Sequence, residues 1–136
     1  MSFLEELKNR RSIYALGRNT EVSDEKIVEI IKEAVRQSPS AFNSQTSRVV
    51  ILLNDEVTKF WDELVANDLV ETMKVQGAPE TAIAGTKEKL ASFGDSKGTV
   101  LFFEDQDVVK SLQEQFVLYA DNFPVWSEQS TGIASV

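Results

Sequence analysis

The sequence contains no cysteine and no histidine. Each absence removes a class of chemistry. Without thiols there is no disulfide, no thiolate nucleophile, no paired-thiol redox motif and no cysteine zinc site. Without imidazole there is no Ser-His-Asp triad and no histidine metal ligand. Demanding chemistry on this chain therefore needs a bound cofactor, a carboxylate-held metal or carboxylates acting alone. Positive charge is also scarce, with 14 lysines and arginines against 22 acids and a formal net charge of −8. That balance repels nucleic acid unless a local basic face overrides it, so no nucleic-acid partner is expected. No apolar run approaches the roughly 20 residues that cross a bilayer, and no membrane partner is expected either. The start, Met1-Ser2-Phe3-Leu4-Glu5-Glu6, is acidic where a secretory leader is basic and then apolar. The expected location is the cytoplasm.

What remains is a chain of 136 residues, 42% of them hydrophobic. That is a single-domain length, enough to bury roughly two-thirds of the surface of the unfolded chain. Residues 1–136 read as one domain, with no repeat, low-complexity run or linker.

Helical and strand patterns alternate. Ser2 with Glu5 forms a capping box for a short helix to about Arg10. Ser23 caps a second, with Asp24 and Glu25 in its first turn and Ile27, Ile30, Ile31, Ala34 and Val35 on one face, ended by Pro39. Residues 38–47 are a polar loop. Arg48–Leu53 reads as a buried strand. Asn54-Asp55 leads into a third helix with Val57, Phe60, Trp61, Leu64 and Val65 on its apolar face. Gly77, Gly85, Gly94 and Gly98 break any long helix over 71–98, where Pro79 starts a helical piece to about Ser92. Thr99–Phe103 is a second buried strand. Asp107 is the expected cap of a helix carrying Val108, Val109, Leu112, Phe116 and Tyr119. Asn122-Phe123-Pro124 interrupts, and Ser127 is the expected cap of a last helix. Two strands make a thin sheet with unpaired edges, which calls for a partner chain or further sequence.

Two blocks carry chemistry. Arg10-Arg11-Ser12, two guanidiniums and a hydroxyl at a helix end, suit a phosphate through charge-assisted hydrogen bonds. Taken alone, the plainer account is a solvated basic patch complementing the helix C-terminus. Ser38-Pro39-Ser40-Ala41-Phe42-Asn43-Ser44-Gln45 is dense in groups that donate and accept, and its amides match the edge of a heterocycle carrying adjacent N–H and C=O groups. The plainer account is a polar loop satisfying its own backbone. Glu104, Asp105 and Asp107 read as a strand end and a helix cap before they read as a metal cluster. The glycines match neither a P-loop nor a dinucleotide fingerprint. Trp61 and Phe60 read as core, and Trp126 as core cover before a ligand-stacking ring.

Arg10-Arg11-Ser12-Ile13-Tyr14, then Ser38 to Arg48 running into a strand, then Gly98 to Asp105, then Phe123 to Ser130, together resemble the FMN-dependent nitroreductases. They are similar to the subgroup that includes the yeast fatty-acid-repression proteins and bacterial copper-induced nitroreductases. The resemblance covers essentially the whole chain. It implies an α+β fold, a nitroreductase-like three-layer sandwich with a central sheet flanked by helices, assembled as an intertwined homodimer with two FMN molecules at the interface. It assigns the FMN phosphate to Arg10, Arg11 and Ser12. It assigns contacts with the flavin of the other subunit to Pro39, Ser40 and Asn43, with Gln45 a further candidate. It implies hydride transfer from NAD(P)H through FMN to a nitroaromatic, quinone or similar small-molecule acceptor in a ping-pong cycle. No side chain is assigned as a catalytic acid or base, and no metal is implied. Family members continue past the point corresponding to Val136, so the chain reads as C-terminally shortened: a fragment of a longer protein or a natural short form. The competing readings are a non-catalytic interaction or regulatory module and an inactive truncated relative.

Overall fold

The computed structural model describes residues 2–136. The elements run α1 (Phe3–Asn9), α2 (Asp24–Gln37), a 3-10 turn (Ala41–Asn43), β1 (Ser47–Leu53), α3 (Asp55–Thr58), a π-helical segment (Lys59–Val65), α4 (Ala66–Val75), α5 (Glu80–Gly94), β2 (Gly98–Glu104), α6 (Gln106–Gln115), a second 3-10 turn (Val117–Tyr119) and α7 (Phe123–Ser135). This is the α+β order read from the sequence. The chain forms two compact units, one comprising the segment up to Asn19 with Leu53–Gly98, the other Thr20–Leu52 with Thr99–Val136. Among the described residues no helix is long and apolar enough to cross a membrane.

In the first unit, α1 starts at the expected capping box. The Glu5 N–H donates to Ser2 Oγ, and the Ser2 N–H donates to the Glu5 carboxylate at 2.6 Å. Farther along, Arg18 donates to the Gly94 carbonyl at 3.0 Å and to the Thr58 hydroxyl, and pairs with Asp55 at 3.2 Å. It thus ties the N-terminal segment to the C-terminal end of α5, where a cation suits the exposed carbonyls. Val57 is fully buried. The apolar face expected to continue from it through Leu64 does not. In the π-helical segment the Ala66 N–H reaches back five residues to the Trp61 carbonyl. The wider turn rotates the next stretch of helix and leaves Leu64 59% exposed. Phe60, Trp61 and Val65 stay half-buried, and Trp61 packs on Phe60 and Phe93 with ring centroids 5.2 and 5.1 Å away. Val70, Ile83 and Leu90 complete this core. Pro79 precedes α5 as expected. Gly85 does not break that helix. It lies inside it facing open space, and a helical glycine costs only about 1 kcal/mol against alanine.

In the second unit, Ser23 caps α2 by accepting from the Lys26 N–H at 3.2 Å. The buried stripe of α2 is narrower than expected: Ile27, Ile31 and Val35 are half-buried, while Ile30 and Ala34 are exposed. β1 and β2 form a two-stranded sheet. The Asp105 N–H donates to the Thr46 carbonyl and the Asn54 N–H to the Lys97 carbonyl, so the strands are antiparallel and Ser47 faces Glu104. Neither strand is buried as expected, since Val50 and Phe103 are exposed and most other positions half-buried. Each strand has one neighbour, so each keeps an open edge. The cap of α6 is Asp105, not Asp107: Asp105 Oδ1 accepts from the N–H groups of Asp107 and Val108, while its Oδ2 pairs with Arg48 at 2.8 Å. α7 begins at Phe123, not Ser127. Pro124 sits in its first turn, where a missing N–H costs nothing, and Ser127 is buried inside the helix. Phe123 and Val109 are fully buried and centre this core.

Candidate cofactor site

The loop after α2 is built by local hydrogen bonds and held by distant rings. Ser38 Oγ donates to the Ala34 carbonyl at 2.8 Å, closing the helix. The Asn43 N–H donates to the Ser40 carbonyl and the Gln45 N–H to Ser40 Oγ. Between them the backbone is left-handed, with φ of +57° at Phe42, +52° at Asn43 and +50° at Gln45. Asparagine tolerates that region; phenylalanine and glutamine do so poorly, and each such residue costs of order 1–3 kcal/mol and persists only where its surroundings enforce it. Here they do. The Phe42 ring lies 5.2–5.8 Å from those of Phe116, Tyr119, Phe123 and Trp126. Trp126 is thus part of an aromatic nest, as the core reading expected.

This backbone lines a cavity of about 310 Å³. Pro39, Ser40, Asn43 and Gln45, the four loop residues singled out from the sequence, all border it. Gln45 Nε2 donates to Asn43 Oδ1 at 3.3 Å. That leaves the Asn43 NH₂ as a donor and the Gln45 side-chain carbonyl as an acceptor on one loop. Arg36 and Ser130 also line the cavity, and sequence reading missed both. Arg36 looks like an ordinary charge near a helix end. Ser130 lies 89 residues from the loop residue it contacts, and no local pattern announces it. Beyond the cavity wall, Ser44 Oγ and Thr46 Oγ1 are buried without a hydrogen-bond partner.

Arg10, Arg11 and Ser12 follow α1 in the other unit and are exposed. Arg11 donates to the carbonyls of Lys8 and Arg10, both at 2.7 Å, the helix-end role that the plainer reading gave it. Among the described residues no acid is ion-paired with Arg10 or Arg11. The block is therefore two un-neutralised guanidiniums beside a hydroxyl.

Residues 7–135 match the Nitroreductase family. The chain belongs to the nitroreductase family. Its sequence is 31% identical to HBN1 of Saccharomyces cerevisiae over 137 residues, which is 99% of this chain and 65% of that protein. The solved structure of the nitroreductase CinD from Lactococcus lactis in complex with 4-nitrophenol is similar at a TM-score of 0.85 and 57% identity, covering 98% of this chain and 64% of CinD. The chain thus spans just under two-thirds of the length of these relatives. A protein of Exiguobacterium sibiricum solved with FMN shares the fold at a TM-score of 0.64 and 17% identity. The α+β fold is the nitroreductase-like one that the resemblance implied.

Proposed function

We propose that this nitroreductase-family chain serves an FMN-dependent oxidoreductase that takes hydride from NAD(P)H and reduces a nitroaromatic, quinone or similar small-molecule acceptor. The observation carrying this reading is the loop at 39–45, whose strained backbone holds a free amide donor and a free carbonyl acceptor at a cavity wall. Those groups fit the donor and acceptor edge of the flavin held by the other subunit, and the un-neutralised Arg10-Arg11-Ser12 block fits the phosphate of the flavin that its own subunit holds. When bound, FMN supplies two-electron transfer in a ping-pong cycle, chemistry that a chain without thiol or imidazole cannot supply itself. Arg10 and Arg11 bring charge to the phosphate, with the Ser12 hydroxyl beside them. Pro39, Ser40, Asn43 and Gln45 orient the ring, Gln45 doing so through its carbonyl. No side chain is required as an acid or base. CinD, solved with 4-nitrophenol, supports the acceptor class, and the E. sibiricum complex supports the cofactor.

The same reading takes the working form as a homodimer in the cytoplasm. Phe3, Ile13, Tyr14, Val117, Leu118 and Ile133 are large apolar side chains left exposed and so available to a partner subunit. The two units are read as halves of one domain, because the chain passes between them after Asn19, Leu52 and Gly98.

Titration with FMN, followed by quenching of flavin fluorescence, tests the reading. Saturable binding is expected, weakened about tenfold or more in Arg11→Ala, with FMN-dependent oxidation of NADPH by a quinone. A protein that stays colourless in excess FMN sinks the proposal. Light scattering checks the dimer.

A further inference from the structure

We propose that Ser130, on α7, is a positioning residue for the cofactor loop: its hydroxyl holds the Ala41 backbone and so fixes the left-handed path that presents Asn43 and Gln45 to the cavity. The inference rests on the flavin reading above and adds to it the device that shapes the site.

The Ser130 hydroxyl has two partners. It donates to the Trp126 carbonyl at 2.7 Å and accepts from the Ala41 N–H at 3.2 Å. A serine in mid-helix that bonds the carbonyl four residues back ordinarily adds little to the helix. Here that bond commits the only proton, so the oxygen can serve the loop solely as an acceptor. Ser130 is itself buried, and the hydrogen bond is part-buried, which limits solvent competition. Ala41 immediately precedes the run in which Phe42, Asn43 and Gln45 all take positive φ.

The same helix grips the loop at two further points. Trp126, whose carbonyl receives the Ser130 proton, stacks on the ring of Phe42. Thr131 donates to Glu104 Oε1, and its oxygen contacts the Ser47 hydroxyl. With the Thr131 proton committed to Glu104, Ser47 is the donor of that second contact. Ser47 and Glu104 face each other across the sheet, so Thr131 pins the point where the loop becomes β1. α7 thus holds the segment 41–47 at its start, at its strained centre and at its end. Of the three α7 residues making these contacts, Ser130 alone also borders the cavity. A strained backbone persists when its surroundings over-determine it, and Ser130 is the cheapest constraint to remove without leaving a large void.

The test compares Ser130→Ala with Val109→Ala. Val109 is fully buried on α6 and does not line the cavity. Three quantities are measured: FMN affinity by fluorescence quenching, the visible absorption band of the flavin at saturation, and deuterium exchange of the 39–46 amides in flavin-free protein. Ser130→Ala is expected to weaken FMN about three- to tenfold, to shift the saturated band toward that of free FMN, and to speed exchange in the loop. Val109→Ala is expected to lower the melting temperature at least as much while holding FMN affinity within about twofold, since a cavity in the core acts on global stability. Unchanged affinity and exchange in Ser130→Ala overturn the proposal. So does a loss of affinity in Val109→Ala that parallels the loss in Ser130→Ala. If the unsubstituted protein fails to bind FMN, the flavin reading itself fails and takes this inference with it; if it binds FMN and Ser130→Ala binds equally well, only this inference falls.

Discussion

Phe42 and Trp126 stack with their ring planes 15° apart and centroids separated by 5.8 Å. The contacts of Phe42 with Phe116, Tyr119 and Phe123 are inclined at 55°, 54° and 68°. One loop residue therefore joins a nest otherwise made by α7 and the segment that joins it to α6, and does so with a φ of +57°. The ring contacts offset the backbone strain, which sets up a comparison between two truncations. Phe42→Ala loses the rings and keeps the strain; Phe42→Gly loses the rings and relieves it. Both are expected to destabilise, Phe42→Ala by about 1–3 kcal/mol since the ring is half-exposed. Phe42→Gly is expected to be the milder, the reverse of the usual glycine penalty. Urea midpoints of the two variants decide; a less stable glycine variant would show that the strain is not stored there.

Gly85 offers a gain. It lies in the interior of α5, exposed, and a β-carbon there would meet nothing within 4 Å. Gly85→Ala is expected to stabilise by about 0.5–1 kcal/mol through lower chain entropy in the unfolded state and better helix propensity. A higher melting temperature in calorimetry checks it, and no rise would mean that α5 frays at this point.

Arg18 and Asp55 form an ion pair whose two ends differ in worth. The Asp55 side chain is fully exposed, and such pairs contribute about 0–1 kcal/mol. The Arg18 hydrogen bonds to the Gly94 carbonyl and the Thr58 hydroxyl are part-buried. Arg18→Ala is therefore expected to cost about 1–2 kcal/mol, and Asp55→Ala less than about 0.5 kcal/mol. Equal costs in denaturant unfolding would assign the tether to the charge pair instead. The cost of Arg18→Ala should also persist in high salt, which screens the exposed pair but not the carbonyl contact.

Glu5 supplies a pH dependence. The Ser2 backbone N–H and then the Ser2 hydroxyl favour the charged carboxylate and hold its pKa below the usual range. A depressed folded-state pKa means that the contribution to α1 is complete above the unfolded midpoint of about 4.3 and is lost as pH falls through the lower folded value. An NMR titration of the Glu5 side chain should show the low midpoint, and Ser2→Ala should move it up. An unchanged midpoint in that variant would assign the shift to the Ser2 backbone N–H alone, which alanine keeps.

Local patterns in the chain were enough to place most elements. Ser2 with Glu5, Ser23 before Asp24, and Pro39 after α2 act within four residues, so their effect travels with the sequence. The apolar run from Arg48 and the run from Thr99 are strands for the same local reason. The donor and acceptor content of the polar residues at 39–45 was legible in composition, but composition alone pointed to an ordinary polar loop, and it was the resemblance to the nitroreductases that singled out Pro39, Ser40, Asn43 and Gln45. Where reasoning from the sequence failed, two elements had competing local solutions. Asp105 and Asp107 are equally good caps in isolation, and the ion pair with Arg48 selects Asp105. Ser127 is a good cap in isolation, but burial of Phe123 draws the start of α7 five residues earlier, to a cap at Asn122.

The sequence by itself determined the chemistry open to this protein and the order of its helices and strands, both of which follow from residue type and from interactions spanning a turn or less; the loop residues that border the cavity were named by the family resemblance. The tertiary structure decided the rotation that exposes Leu64, the left-handed path of Phe42, Asn43 and Gln45, and the grip of Ser130 and Thr131 on the loop. The loop and α7 meet across more than 80 residues, and a hydrogen bond or ring contact over that separation exists only once packing has fixed both ends.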